Sequence, residues 1–566
     1  MNWKLRLKME KLKEQETNFV PEKSFGSVPV NVALVFPNAY ELGMTNLGFQ
    51  AIYREINSRT DSLCHRAFLF KGFPPYTMEA LKPLSGYDIV GFSVSFEMDY
   101  LNLLKILDDA GIPLFACERD NPIVIAGGPA ITFNPEPLSP FVDFFVIGEG
   151  EEVIHEILDT FRENTGRSKE YILEKMAQID GVYVPSFYEV KYGNKGDVEE
   201  FKAVPPAPLK IKRRWVKDLD AFSTETAVIT PNTEFKDMFL IELSRGCGRN
   251  CRFCMAGYCY RVPRARKMER ILERAKFAAR LGKKVGLVGA AVSDYPKIDE
   301  LVKELVRNDI KFSVSSLRAD SLSESLIEGL SSSGHKTLTV APEAGSQRLR
   351  NVINKGITEE HVLDAVKLAG IYGIKNIKLY YIIGLPTETD EDIEEMIEFL
   401  IKVKERMAEG KNKDGILTVS VNPFIPKPFT PFQWLGMENL TSLEGKIKKL
   451  QNHLKPKGIR MLYESPRISQ VQAALSRGDR DTATLLYRVY RSGGNLTALK
   501  RFEVEGKNVE YYAHREFPLD AVLPWDHIDI GLSKEYFIRE YQKAIEGKTT
   551  RRCTEEICRV CRICTK

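Results

Sequence analysis

At 566 residues the chain has the length of three or four ordinary domains of about 150 residues, each able to bury its own core. Hydrophobic residues at 43% and charged residues at 28% match folded globular usage, which excludes a mostly disordered chain and a coiled-coil rod. The 81 basic and 77 acidic side chains leave a net charge of +4, too small over this length for bulk attraction to nucleic acid, so any basic surface is local.

The opening arm, residues 1–27, begins MNWKLRLKMEKLKEQET and is too charged for a signal-peptide core. No apolar run reaches the roughly 18 residues that span a bilayer, and the expectation is a cytoplasmic protein with no membrane contact. Residues 28–165 alternate short apolar runs (NVALVF, DIVGFSVSF, PIVIAG, DFFVIG) with helical patterns at 47–56 and 100–111. That alternation predicts a flavodoxin/Rossmann-like α/β sheet, whose ligands sit beyond the carboxyl ends of the strands. Residues 166–235 lose the pattern and carry VPPAPLKIKRRWVK, typical of a connector. Residues 236–440 resume it with six strand candidates (MFLIEL, VGLVGA, FSVSS, TLTVA, IKLYYII, ILTVSV) and helical patterns between them. Six βα units fall short of the eight that close a barrel, so a partial (β/α)6 barrel is expected, with its chemistry at the strands' carboxyl ends. Residues 441–566 form a carboxyl-terminal region ending in a cysteine-rich tail.

Eight of the ten cysteines fall in two clusters, which in a reducing compartment points to metal rather than to disulfides. Cys247, Cys251 and Cys254 have the spacing C-x3-C-x2-C directly after the first barrel strand, and no second pair lies nearby to complete a zinc site. Three thiolates suit a 4Fe-4S cluster with one iron left open for a small molecule. Cys259 lies beyond the triplet and reads as a bystander. In the tail, Cys553, Cys558, Cys561 and Cys564 follow a ferredoxin-like spacing, which favours an auxiliary iron-sulfur cluster over zinc, with a tail of free thiols as the third alternative.

The Cys247-x3-Cys251-x2-Cys254 loop, with Phe253 before its last cysteine, resembles the signature of radical S-adenosylmethionine (SAM) enzymes. The resemblance implies that SAM chelates the unique iron and is reductively cleaved to a 5'-deoxyadenosyl radical that abstracts hydrogen from substrate. VAPEAGSQRLRNVINKGIT (340–358) resembles the family's SAM-contacting strand and helix, and IIGLPTET its adenine-side segment. By position, Glu343, Ser346 and Arg348 are the implied SAM contacts, with Ser315 and Arg318 as weaker candidates. The same three residues also suit a helix cap and a surface ion pair. The family's Gly-Gly-Glu after the second strand stands here as Gly289-Ala290-Ala291, so the SAM amine needs another partner.

GGPAITFNPEPLSPFVDFFVIGEGEEVIHEI (127–157) resembles the end of the cobalamin-binding domain that precedes many radical SAM barrels, which makes Ser93, Ser95, Gly127 and Gly128 the matching cofactor-side positions. The D-x-H-x-x-G motif that ligates cobalt is absent. His65 and His155 lack its spacing and read as surface or capping residues, and Tyr40 and Glu41 stand where the motif would be. Two alternatives follow: cobalamin held without a histidine ligand, or a scaffold that binds substrate. With the RGDR at 477–480 and the stretch from 523 to 544, where Asp526 and His527 either line the site or cap a helix, the resemblance to an uncharacterised family of B12-domain radical SAM proteins spans nearly the whole chain.

The implied activity is C-H functionalisation, either methylation or sulfur insertion, served by a small reductant protein of ferredoxin or flavodoxin type. Two basic groups, Lys210/Lys212/Arg213/Arg214/Lys217 and Arg261/Arg264/Arg266/Lys267, raise RNA as a substrate. A cluster-bearing RNA-binding or scaffold protein without catalysis is the alternative class.

Overall fold

The computed structural model describes all residues except 195, 237, 495–497, 554–560, 562 and 564–566, and leaves aside the side chains of 500 and 501. Cys558 and Cys564 therefore lie outside the described residues. The chain divides into two compact units: Met1–Met238 with Ala474–Tyr512 and Asp520–Gly531, and Phe239–Ala473 with Ala513–Leu519 and Leu532–Lys566. The carboxyl-terminal region is thus shared between the units.

The first unit is built on a sheet of β1 (Val30–Phe36), β2 (Ser62–Phe68), β3 (Ile89–Ser93), β4 (Ile123–Gly127), β5 (Phe144–Val146) and β6 (Val182–Tyr183), in spatial order β2-β1-β3-β4-β5-β6. All neighbours are parallel except β5 and β6. Strands β1, β3, β4 and β5 are nearly continuous apolar runs, as strands buried on both faces are. Helix α1 (Leu47–Ser58) starts where the Asn46 side chain accepts the Phe49 N–H at 2.8 Å, and it buries Phe49, Tyr53 and Ile56 against the sheet core. Helix α2 (Tyr100–Asp109) follows β3, and α3 (Gly150–Glu163) follows β5 with acidic Glu151 and Glu152 in its first turn.

Strand β2 has no counterpart among the sequence candidates. All seven of its residues are buried, including His65 and Arg66. Arg66 is paired with Glu16 at 2.7 Å and Glu79 at 2.6 Å, and His65 lies against the Tyr87 hydroxyl at 2.7 Å and the Lys23 carbonyl at 3.0 Å. His65 is therefore a satisfied core histidine, a correction to its reading as a surface or capping residue. His155 is partly exposed beside Glu55, 3.4 Å away. Tyr40 is also core, donating its hydroxyl to Glu16 at 2.7 Å, whereas Glu41 is exposed.

The second unit carries seven parallel strands: β7 (Phe239–Glu242), β8 (Val285–Val288) and β9 (Phe312–Val314) in one sheet, and β10 (Thr337–Glu343), β11 (Asn376–Ile383), β12 (Leu417–Pro423) and β13 (Arg460–Tyr463) in another. A parallel bridge from Leu317 to Val340 joins the two sheets into one curved wall. Six of these strands match the sequence candidates. The short edge strand β13 is additional. Helices α4 (Met268–Arg280), α5 (Ile298–Arg307), α6 (Glu324–Ser332), α7 (Gln347–Val352), α8 (Glu359–Ile371), α9 (Asp390–Glu409) and α10 (Leu440–Leu454) fill the crossovers. In β11, Ile377, Leu379, Tyr381 and Ile383 are buried while Lys378, Tyr380 and Ile382 are half-buried; in β12, buried Leu417, Val419 and Val421 alternate with half-buried Thr418, Ser420 and Asn422. One face of the wall thus packs a core while the other keeps polar side chains, as a barrel left open on one side requires. No helix among the described residues is long and apolar enough to cross a membrane.

Candidate active site at the cysteine loop of the second unit

β7 ends at Glu242, and the loop that follows carries Cys247, Cys251 and Cys254 at the carboxyl end of the wall. All three thiols are free; Cys251 is buried, and Cys247 and Cys254 are half-buried. Burial, with the neighbouring Cys251 next, pushes the Cys247 thiol up; burial, then Cys251 and Cys247, pushes Cys254 up to about 12. Burial of this kind favours the neutral thiol at Cys247 and Cys254, and a bound cation reverses that preference. Among the described residues no three Cys, His, Asp or Glu side chains converge on one ion-sized point. A cubane takes each thiolate on a different iron, and three free thiols on one loop supply three of its four corners. The donor set fits a 4Fe-4S cluster.

Around the loop the structure assembles a shell of ionic contacts from distant segments. Arg318, just past β9, points Nη1 at the Cys251 sulfur from 3.9 Å and donates Nη2 to the Lys355 carbonyl at 2.6 Å. Asp320 accepts from Arg318 Nε at 3.0 Å and from Arg249 Nη1 at 2.7 Å, and Asp294 accepts from Arg249 Nε at 2.7 Å. Lys355 Nζ donates to Glu343 Oε1 at 3.1 Å and lies 5.8 Å from the centre of the Phe253 ring. Glu343 ends β10 at a break in the strand register, in the left-handed region at φ 68°, a conformation uncommon for a non-glycine residue and characteristic of sites that aim a side chain. Asn354 Nδ2 donates to the carbonyls of Asn250 and Thr550, each at 3.1 Å, tying the turn after α7 to the cysteine loop.

Of the residues singled out from sequence, Glu343 and Arg318 join the three cysteines. Ser315 is exposed just beyond β9. Ser346 and Arg348 are engaged elsewhere: Ser346 caps α7, accepting the Leu349 N–H at 3.1 Å and donating to Asp392, while Arg348 pairs with Asp392 and donates Nη2 to the Thr387 carbonyl at 2.6 Å. Cys259 is fully buried. Gly289 is pressed against Ser244, whose hydroxyl would stand 2.9 Å from an added Cβ. Asn354, Lys355, Arg249 and Asp320 were not singled out. Their one local signal was the Asn354-Lys355-Gly356 turn, in which both Asn354 and Gly356 have positive φ.

In the first unit, the strand order turns between β1 and β3, and the crevice there is where such sheets hold ligands. Ser95 accepts from Asn46 Nδ2 at 2.9 Å across it, and Asn38 donates to Asp99 at 2.7 Å beside it. Ser93 pairs in register with Gly127. Gly128 has φ 113° and an added Cβ would lie 2.5 Å from the Val94 carbonyl oxygen, so the sheet itself already requires glycine there. Arg477, Asp479 and Arg480 of the RGDR run are structural: Arg480 Nε meets Glu136 at 3.0 Å, Asp479 accepts from the Tyr512 hydroxyl at 2.7 Å, and Arg477 donates to the Tyr512 carbonyl at 2.8 Å. Asp526 accepts the Leu523 N–H at 3.0 Å, closing a turn, and His527 is fully buried among Tyr183 and Phe201.

The tail reaches the cysteine loop: the Cys553 N–H donates to the Gly248 carbonyl at 2.7 Å, Asn250 Nδ2 donates to the Arg551 carbonyl at 2.8 Å, and buried Arg252 donates to the Lys548 carbonyl at 2.7 Å. The basic run beside the loop is largely turned inward. Arg261 and Arg266 are buried, Arg266 donating to Glu242 at 2.9 Å, and only Lys267 of the four is exposed. In the other group Arg213 is buried and Arg214 is paired with Glu156 at 2.6 Å, leaving Lys210, Lys212 and Lys217 exposed.

The family described as radical SAM proteins, N-terminal, matches residues 48–185, and the radical SAM superfamily matches residues 241–400. An uncharacterised protein of Methanocaldococcus jannaschii is 33% identical over 480 residues, which are 83% of this chain and 94% of that one. The chain belongs to the radical SAM superfamily. It is also 22% identical to the threonylcarbamoyladenosine tRNA methylthiotransferase of Aquifex aeolicus over 70% of this chain and 87% of that one. Among solved structures it resembles the radical SAM methyltransferase TsrM of Kitasatospora setae, solved with cobalamin and a 4Fe-4S cluster bound, at a TM-score of 0.50 and 14% identity over 82% of this chain and 99% of that one. That likeness is one of fold. As a radical SAM enzyme the protein uses a 4Fe-4S cluster and SAM and requires an external reductant.

Proposed function

We propose that Cys247, Cys251 and Cys254 ligate the SAM-binding cluster and that the enzyme functionalises a C-H bond by adding a methyl or methylthio group. The observation that carries this reading is the loop itself: three free thiols at the carboxyl end of the parallel wall, bordered by Arg318, Lys355 and Glu343. When bound, the cluster supplies the electron that splits SAM into methionine and a 5'-deoxyadenosyl radical. The chain's own residues hold and shield that centre. Phe253 packs against the apolar cluster that contains Ala344, Leu385 and Phe424, Lys355 pairs with Glu343, and the half-buried polar face of β11 and β12 offers hydrogen bonds to a substrate.

The choice between methyl and methylthio transfer turns on the other cofactors. The β1/β3 crevice of the first unit is the proposed cobalamin position; Ser93 and Ser95 at the end of β3 and Gly127 and Gly128 at the end of β4 are the residues that would border the cofactor. Cys553, Cys558, Cys561 and Cys564 are proposed to hold the auxiliary iron-sulfur cluster. A reductant protein of ferredoxin or flavodoxin type is the proposed electron donor. The relatives named as methylthiotransferases support a methylthio product, and the fold shared with TsrM supports methylation.

Anaerobic reconstitution with SAM and a reductant tests the reading. The wild type is expected to release 5'-deoxyadenosine and to hold more than four irons per chain, and Cys254→Ala is expected to lose SAM cleavage while keeping its circular dichroism spectrum. SAM cleavage at the wild-type rate by Cys254→Ala would overturn the ligand assignment, and four irons with one zinc would reassign the tail.

A further inference from the structure

We infer that Arg318 is a positioning residue for the cluster rather than a SAM ligand: its guanidinium braces the Cys251 sulfur and sets how readily the centre bound there is reduced. The inference rests on the reading of Cys247, Cys251 and Cys254 as cluster ligands and adds a role within that site.

A guanidinium has five N–H donors in a fixed plane. In Arg318, Nε is spent on Asp320 Oδ1 at 3.0 Å, Nη2 on Asp320 Oδ2 at 3.2 Å and on the Lys355 carbonyl at 2.6 Å, and Nη1 faces Cys251 Sγ at 3.9 Å. Four of the five donors are thereby committed, and a bidentate grip on the SAM carboxylate would need two that are free. The side chain is also held from behind. Asp320 bridges it to Arg249 of the cysteine loop. With Arg318 only 9% exposed, its orientation toward the sulfur is fixed by packing.

A cation and an N–H donor directed at a cluster thiolate draw electron density from it and favour the reduced, more negative state, more strongly where water is excluded. Asp320 offsets part of the charge, but it lies on the Nε side while Nη1 faces the sulfur, so the dipole of the pair points its positive end at Cys251. Arg318 therefore eases delivery of the electron that the reaction requires.

The test is a redox titration, followed by electron paramagnetic resonance, of full-length protein reconstituted anaerobically without SAM, read at the cluster signal that a separate addition of SAM perturbs. Arg318→Met is expected to keep its iron, to shift the midpoint to a more negative potential and to bind SAM within threefold of wild type; Arg318→Lys, which keeps the charge, is expected to recover part of the shift. An unchanged midpoint in Arg318→Met overturns the inference, as does a tenfold loss of SAM affinity with no shift, which would make Arg318 a SAM ligand. If Arg318→Met does not hold iron, Arg318→Gln replaces it with the same expected direction, and a wild-type midpoint there is equally fatal. Cys251→Ala separates the two levels: if it still assembles a cluster that cleaves SAM, the ligand reading fails, whereas an unchanged midpoint in Arg318→Met removes only the role of the arginine.

Discussion

Asp99, at the start of α2 just beyond β3, is 4% exposed, and its Oδ1 accepts from Asn38 Nδ2 at 2.7 Å and Asn102 Nδ2 at 3.3 Å. Burial outweighs those two hydrogen bonds and pushes its pKa up to about 6. In the unfolded chain an aspartate titrates near ~3.9. Between roughly pH 4 and pH 6 the folded state therefore binds more protons than the unfolded one, and stability contributed by this group is fully present below that window and lost as pH rises through it. A shift of about two units corresponds to about 3 kcal/mol as a ceiling. Asp99→Asn removes the charge, keeps the shape and still accepts from Asn38, but its new NH2 needs an acceptor, at a cost of about 1–2 kcal/mol when it lacks one. The net expectation is a first unit more stable by on the order of 1–2 kcal/mol at pH 7.5, with the advantage gone by pH 4. Urea midpoints of the apoprotein at the two pH values, followed by circular dichroism, measure it. An equal gain at both pH values, or a loss at pH 7.5, would refute the electrostatic account.

Ser346→Ala removes the cap on Leu349 and a donor to Asp392, and is expected to lower stability by about 1–2 kcal/mol in a thermal melt while leaving SAM affinity unchanged. A loss of SAM binding with no change in melting would instead restore Ser346 as a ligand. Gly345→Ala brings a Cβ to 2.3 Å from Met396 Cβ and 2.8 Å from its Cα, on α9. Because the helix backbone must move, the expected cost is on the order of 3 kcal/mol in chemical denaturation, and a near-neutral effect would contradict the packing described for that corner.

What could be read ahead of the structure follows from where each signal resides. The buried strands β1, β3 and β4 and the six matched strands of the second unit are local apolar runs, and period alone exposes them. Strand β2 escaped because His65 and Arg66 break its run, and their burial is made tolerable by Glu16, Glu79, Tyr87 and Lys23, none within ten residues of them. Strand β13 escaped for the opposite reason: Arg460, Leu462 and Tyr463 are exposed at a sheet edge, so no core imprints a pattern on them. The two basic groups were legible only in part, since composition shows charge but not the Glu242 and Glu156 that pair with Arg266 and Arg214.

The same division runs through the site. Cysteine spacing is a local property, because the three thiols proposed for one cluster sit on one short loop, and so the loop was legible. The residues that border that loop, Arg318, Asp320 and Lys355, come from other βα units and meet it only when the wall curves. Ser346 and Arg348 show the converse, since a motif position carries a residue type without saying which partner claims it, and Asp392 lies on a different helix. The identity of the chemistry is therefore written in a few adjacent positions, while its tuning is written in pairs of positions brought together by the sheet. Substitutions at Arg318 should accordingly change the potential of the centre without abolishing it, and substitutions at the cysteines should abolish it outright.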